Sequence, residues 1–243
     1  MLRRTGLAHS SAELKQLSGD YVTDADRASE EAIVEVLNRR APEIPILAEE
    51  RGGARSGTRW AVDPLDGTTN FIRALPVIGV SVALLDQGRP AAGVVIGPWL
   101  DVEFAAERGG GATLNGHRLP PLGPGDPKTA IVATGFPFRR KERMGRYLPL
   151  LLGALARFED LRRAGAASLD LAWIASGTFD GFFELGLGTW DVAAGAALVL
   201  EVGGRVSDWS GGDSWLESGD ILAAPPAVHD ALLELAARPG QER

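Results

Sequence analysis

Cysteine is absent from the 243 residues of this chain. That excludes disulfides, thiolate zinc sites and cysteine nucleophiles. Histidine is scarce: only His9, His117 and His229 occur. None stands in a His-Glu-x-x-His pattern, so imidazole-held zinc chemistry is not expected. No apolar run is long enough to span a bilayer. The start, Met1-Leu2-Arg3-Arg4, lacks the apolar stretch of a secretory signal, and the expectation is a cytoplasmic enzyme. The glycine-rich residues 109–116 lack both the Gly-Lys-Ser/Thr ending of a P-loop and the Rossmann spacing, so they read as hairpin turns. Positive charge is in deficit, with a net charge of −7. Broad attraction to nucleic acid is disfavoured. An acidic protein that handles an anion needs a local source of positive charge, and bound metal ions are one such source.

What is present suits a globular enzyme. The apolar fraction is 45%, and the length allows one large domain or two closely packed halves. Helical and strand-like stretches alternate, with hairpin-like strand runs between them. That pattern indicates a layered α/β or α+β fold rather than a purely parallel sheet. A Pro/Gly-rich connector at residues 120–127 is the best boundary. It divides the chain into residues 1–125, with most of the candidate ligands, and residues 126–243.

The most informative stretch is residues 60–71, WAVDPLDGTTNF. It opens as a short buried strand, is expected to break at Pro64, and turns at Gly67. Asp63 and Asp66 sit at the strand end, and Gly67, Thr68 and Thr69 follow. Paired carboxylates favour hard cations such as Mg²⁺, and N–H groups of a turn favour an anion. Together they suggest a metal-assisted phosphate site. Taken alone, an Asp-x-x-Asp of this kind is more often a solvated loop, so other residues have to complete it.

Several candidates do. Residues 45–48 form a short apolar run ending in Glu49-Glu50, a second acidic strand end close to the first. Thr23 or Asp24 caps a following helix with apolar positions at Ala28, Ala32, Ile33, Val36 and Leu37. Asp24 and Asp26 have an ordinary reading there, as capping and dipole-stabilising acids worth about 0.3–1 kcal/mol each. Asp191 begins a very apolar helix over residues 192–201. It reads ordinarily as an N-cap, yet a helix start also favours an anion or a metal-bound phosphate. The basic cluster Arg139, Arg140, Lys141, Arg143 and Arg146 reads first as a solvated helix start, since little aromatic interleaving marks a nucleic-acid surface.

The set Glu49, Asp63, Asp66 and Asp191, in Ala48-Glu49-Glu50, Asp63-Pro64-Leu65-Asp66-Gly67-Thr68 and Trp190-Asp191-Val192-Ala193-Ala194-Gly195, closely resembles the inositol monophosphatase family. Lys15 and residues 22–26 fit the same pattern, and the resemblance runs from about Glu13 to the C-terminus. Residues 134–138 and 182–187 look most like its bacterial branch, which includes the extragenic suppressor type. The resemblance implies a layered αβαβα sandwich like that of inositol monophosphatase and fructose-1,6-bisphosphatase. It implies hydrolysis of a phosphomonoester, inositol monophosphate first, with two or three Mg²⁺ ions and sensitivity to lithium. Glu49, Asp63 and the Leu65 carbonyl resemble ligands of one metal; Asp63, Asp66 and Asp191 resemble ligands of a second. Glu49 also assists through a more weakly held third. Gly67 and Thr68 match the phosphate donors, and Thr68 with Asp26 the pair that orients the attacking water. Gly165, Ala166, Ala167 and Glu184 fall where the family holds the substrate alcohol; Arg162 or Arg163 reaches it too, and Asp66 and Asp191 also face the substrate. Related phosphatases take fructose bisphosphate, NADP, histidinol phosphate or phosphoadenosine phosphate, and the suppressor-type resemblance allows instead a regulatory role binding RNA polymerase or RNA. A homodimer is implied. The family has a longer helix before the lysine that Lys15 matches, so that helix is expected to be shortened here.

Overall fold

The computed structural model describes residues 12–14, 21–138 and 140–237; Lys15 and Arg139 lie outside the described residues. The chain is organised around one strand, β5. In chain order the elements of the first half are β1 (Ala12–Leu14), β2 (Tyr21–Thr23), α1 (Asp24–Arg40), β3 (Ile46–Ala48), β4 (Gly52–Gly53), β5 (Arg59–Asp66), α2 (Thr68–Ile72), β6 (Gly79–Asp86), β7 (Arg89–Gly97), β8 (Val102–Glu107), β9 (Gly111–Leu114) and β10 (His117–Arg118). The second half adds β11 (Ile131–Thr134), α3 (Met144–Arg157), β12 (Asp160–Arg162), α4 (Ala167–Ala175), β13 (Gly181–Glu184), α5 (Thr189–Glu201), β14 (Arg205–Ser207), α6 (Trp215–Ser218), β15 (Ile221–Ala224) and α7 (Pro226–Ala236).

Two sheets carry the fold. The eight-stranded sheet has the order β10-β9-β8-β7-β6-β5-β3-β4, and the five-stranded sheet β12-β11-β13-β15-β14. Helices α4 and α5 lie between them: α5 packs on β5 to β8 and also on β14 and β15, and α4 reaches β6, β7, β11, β13 and β15. Helix α1 packs on β5 outside the large sheet, and α3 and α7 pack together outside the small one. The layers therefore run α-β-α-β-α. Helix α5 is apolar all round because both its sides are covered; residues 192–199 are buried without a break. The main core lies here, with Leu169, Leu171, Ile174, Leu198 and Phe182 fully buried.

Two details differ from the sequence expectation, each for a physical reason. Strand β5 does not end at Pro64. It pairs Asp63 with Ser81 and Asp66 with Gly79, so three steps on β5 match two on β6. This bulge absorbs the missing N–H of Pro64, and the strand runs on to Asp66. Helix α1 does not bury its apolar positions. Its buried residues are Ala25, Asp26, Ser29 and Glu30, while Ala32 and Val36 are exposed.

Candidate active site

Strand register gathers the acids. Strands β3 and β5 are parallel, with Ala48 opposite Val62, and the Glu49 N–H donates to the Val62 carbonyl at 3.0 Å. Glu49 thus leaves β3 beside Asp63. Asp191 arrives from the middle layer. It is the third residue of α5 rather than its N-cap, and the Gly188 N–H donates to its Oδ2 at 2.6 Å. The Ser81 hydroxyl, on the register partner of Asp63, donates to the Trp190 carbonyl at 2.8 Å and pins the start of α5 to β6. Asp63 and Asp191 consequently hydrogen-bond to each other. Burial, then repulsion from Glu49, Asp66 and Asp191, pushes the Asp63 carboxyl well above the usual carboxylate range. Burial followed by Glu49 and Asp66 pushes Asp191 up as well, against the pull of the Gly188 N–H.

The loop after β5 supplies the next groups. Gly67 has φ +89°, and a Cβ there would stand 3.0 Å from the Val77 carbonyl oxygen and 3.2 Å from that of Gly165. Only glycine meets both conditions. The turn leads into α2, which local pattern alone reads as loop. The Thr68 hydroxyl lies 3.2 Å from Asp26 Oδ1 and 3.2 Å from the Leu65 carbonyl oxygen. The Leu65 N–H donates to Asp63 Oδ1 at 2.9 Å. Asp26 does serve as a capping acid, accepting the Thr23 N–H at 2.8 Å, and it reaches Thr68 as well. Burial raises its pKa, while hydrogen bonds from Thr23 and Thr68 oppose that rise. Asp24 stays on the surface, 3.9 Å from Arg27.

The segment around residues 162–168 is stitched to this loop. The Asn70 side-chain amide donates to the carbonyls of Val77 at 2.7 Å and Ala164 at 2.9 Å. Ser168 donates both its N–H, at 2.7 Å, and its hydroxyl, at 2.6 Å, to Asp66 Oδ2. Gly165, Ala166 and Ala167 therefore lie next to Asp66 and Gly67. Of the two arginines, Arg162 is turned to Asp160 at the edge of the small sheet. Arg163 lies 5.9 and 5.8 Å from the Phe136 and Phe138 rings and acts on Asp170. The Glu184 carboxylate packs against Gly135, where a Cβ would overlap it.

Sequence reasoning missed Ser81, Ser168, Ser29, Glu30 and Asp170. The signal available was faint: a small polar residue or an acid inside an otherwise apolar run, as Ser81 is in β6 and Asp170 in α4. Asp170 is fully buried, and its Oδ1 has no partner. Burial, then Glu184 and Asp66, holds its pKa well up. The basic cluster is structural in part. Arg143 and Arg146 both donate to Asp220, and Arg146 also lies over Trp209.

The donor set suits a hard cation: carboxylates with a carbonyl beside them, no sulfur and no imidazole. The charges that act most on Asp63 and Asp191 are all negative, so a cation is what the cluster lacks electrostatically. Among the described residues, no three His, Cys, Asp or Glu side chains stand in ready-made coordination geometry. A recess of about 410 Å³ lies elsewhere, lined by Arg89, Arg108, Leu200, Glu201 and Trp215. Arg89 there pairs with Asp213 at 3.8 Å.

Fold and site together define a class: a five-layered α/β chain with four acids gathered where a bulged strand meets the start of a buried helix. The profile of the inositol monophosphatase family matches residues 2–241. The chain is 44% identical over 219 residues to the Nus factor SuhB of Salmonella typhimurium, covering 89% of this chain and 82% of that protein. It is 42% identical over 224 residues to the inositol-1-monophosphatase of Mesorhizobium japonicum, covering 91% and 84%. The crystal structure of the extragenic suppressor protein suhB from Bartonella henselae superposes with a TM-score of 0.89 at 37% identity, covering 96% of this chain and 90% of that one. The chain belongs to the inositol monophosphatase family.

Proposed function

We propose that the protein hydrolyses a small phosphomonoester with Mg²⁺, inositol monophosphate being the first candidate, and that it works as a cytoplasmic homodimer. The observation that carries this reading is the meeting of Glu49, Asp63, Asp66 and Asp191, with Asp63 and Asp191 in hydrogen-bond contact. Glu49, Asp63 and the Leu65 carbonyl would hold one ion, and Asp63, Asp66 and Asp191 a second; Glu49 would serve a weaker third. Mg²⁺ held by such oxygens supplies charge that makes water more acidic and eases the departure of an alkoxide.

The protein groups do the rest. When the Thr68 hydroxyl donates its proton to a hydrogen bond with Asp26, its lone pairs are left to accept a hydrogen bond from water and hold that water in line. N–H groups of Gly67 and Thr68 would receive the phosphoryl oxygens. Gly165, Ala166, Ala167 and Glu184, with Arg163 nearby, would receive the alcohol, and their stitching to Asp66 and Gly67 keeps the two subsites in fixed relation. The P–O ester bond breaks as the P–O bond to water forms; the attacking water gives up one proton and the departing alkoxide takes one up from solvent, so the step is neutral in protons. With no cysteine in the chain and no catalytic histidine pattern, direct attack by water fits the residues available, and solvent ¹⁸O exchange revealing a phosphoenzyme would overturn it.

A second reading draws on the relatives named Nus factor: binding to RNA polymerase or RNA through the basic residues from Arg139, which lies outside the described residues, to Arg146. Commitment of Arg143 and Arg146 to Asp220 counts against that surface. A panel of phosphomonoesters with and without Mg²⁺ tests the first reading. Phosphate release from inositol monophosphate only with Mg²⁺ supports it. Preference for a nucleotide, NADP or fructose bisphosphate would reassign the substrate, and no release from any ester would favour the second reading.

A further inference from the structure

Helix α1 is seated by its polar side. Asp26, Ser29 and Glu30 are buried, while Val36 is 45% exposed. A helix held by apolar burial shows the reverse. Residues three and four apart share a helix face, and each of these three ends on a different segment of the site. Asp26 accepts from Thr68 at 3.2 Å. Ser29 donates to the Pro64 carbonyl, inside the bulge, at 2.9 Å. Glu30 accepts the Glu50 N–H at 2.9 Å and pairs with Arg51 Nε at 2.9 Å.

The last contact has consequences for Glu49. Its own N–H is fixed by Val62, but the chain after it turns into β4, two glycines that both have positive φ. Such a segment carries little stiffness of its own. Glu30 is 2% exposed, and a buried acid of this kind needs its partners; it ties down the turn at the residue after Glu49.

We propose that Glu30 is a positioning residue, fixing the turn that carries Glu49 and so setting how tightly the Glu49 side of the site takes a divalent cation. The catalytic part of this inference rests on the hydrolase reading; the structural part does not. Four variants test it: Glu30→Ala, Glu30→Gln, Arg51→Ala and, on the exposed side of α1, Glu31→Ala. Three readouts are used: hydrogen exchange at the Glu50 and Arg51 amides, calorimetric titration with Mg²⁺ in the presence of inorganic phosphate, and the Mg²⁺ dependence of phosphate release. Glu30→Ala is expected to speed exchange at Glu50 by about fivefold to tenfold and to weaken Mg²⁺ by about tenfold. The KM for ester at saturating Mg²⁺ shifts by less than about twofold, because the ester contacts lie elsewhere. Glu30→Gln, which still accepts the Glu50 N–H, recovers part of both losses. Arg51→Ala reaches the same turn from its half-exposed side and gives a smaller loss in the same direction. Glu31→Ala matches the parent. Parent-like Mg²⁺ affinity in Glu30→Ala overturns the proposal, as does exchange that rises equally over the whole chain. If the parent releases phosphate from no ester, the hydrolase reading fails, while exchange and calorimetry still decide the role of Glu30.

Discussion

The contact between Ser168 and Asp66 sets up a double-mutant cycle with a definite sign. A Cβ on Gly79 would stand 2.5 Å from Ser168 Oγ, yet its next neighbours, Leu169 Cγ at 3.6 Å and Asp66 Cβ at 3.7 Å, are at ordinary distances. Ser168→Ala removes one of two charge-assisted bonds to Asp66 Oδ2 and leaves the N–H in place. It should cost about 1–2 kcal/mol. Gly79→Ala forces the hydroxyl off Asp66 in a site with no free space, since Ser168 is 0% exposed. It should cost about 1–3 kcal/mol. With both changes the clash disappears, because the hydroxyl is gone. The double variant should therefore be no less stable than Ser168→Ala, and alanine in a strand returns up to about 0.5–1 kcal/mol over glycine. Urea unfolding at constant m-value measures all four proteins. Additive losses, within about 0.5 kcal/mol, would refute the packing account of how Asp66 is oriented. Each single variant should also lower Mg²⁺-dependent turnover.

Three further outcomes are expected. The His229 ring is buried against Ser207, with Nε2 2.9 Å from the hydroxyl. Burial, assisted by Arg205 and opposed by Asp230, lowers its pKa below 6.5. The folded state thus keeps the ring neutral, and its stability is full above pH 6.5 and falls as pH drops below that value, with a slope of at most about 1.4 kcal/mol per pH unit. His229→Gln should flatten the urea midpoint between pH 7 and 5, and an unchanged slope would contradict this. Asp220→Ala strips the acceptor from Arg143, Arg146 and the Gly186 N–H. Both arginines reach water, at 29% and 52% exposure, so the loss should be about 1–3 kcal/mol rather than the larger cost of a sealed pair; thermal unfolding reads it. Asp191→Asn should abolish Mg²⁺-dependent turnover and leave the circular dichroism spectrum native; loss of folding would make Asp191 a structural residue of the α5 start.

The layering was legible because its causes are local. The apolar run over residues 192–201 reads the same in the sequence and in the fold. The acids were conspicuous for the same reason, as two acidic strand ends and one helix first turn. How they meet was not legible, because it depends on register between strands far apart in sequence. The bulge from Asp63 to Asp66 exists only relative to Ser81 and Gly79. Helix α1 misled for a related reason. Its apolar positions at Ala32 and Val36 suggested the buried face, but the groups that seat it, the Pro64 carbonyl, the Glu50 N–H and Arg51, come from other segments. Ser168 and Ser81 are ordinary serines until the Asp66 carboxylate and the Trp190 carbonyl are placed beside them.

On the proposed reading, the four gathered carboxylates make this chain a Mg²⁺-dependent phosphomonoesterase. The most direct measurement is release of inorganic phosphate from inositol monophosphate across a Mg²⁺ titration, for the parent protein beside Asp63→Asn. The expected result is saturable, Mg²⁺-dependent release by the parent, no release without Mg²⁺, and a loss of at least about a hundredfold in the variant. Release that is indifferent to Mg²⁺, or retained in Asp63→Asn, would contradict it.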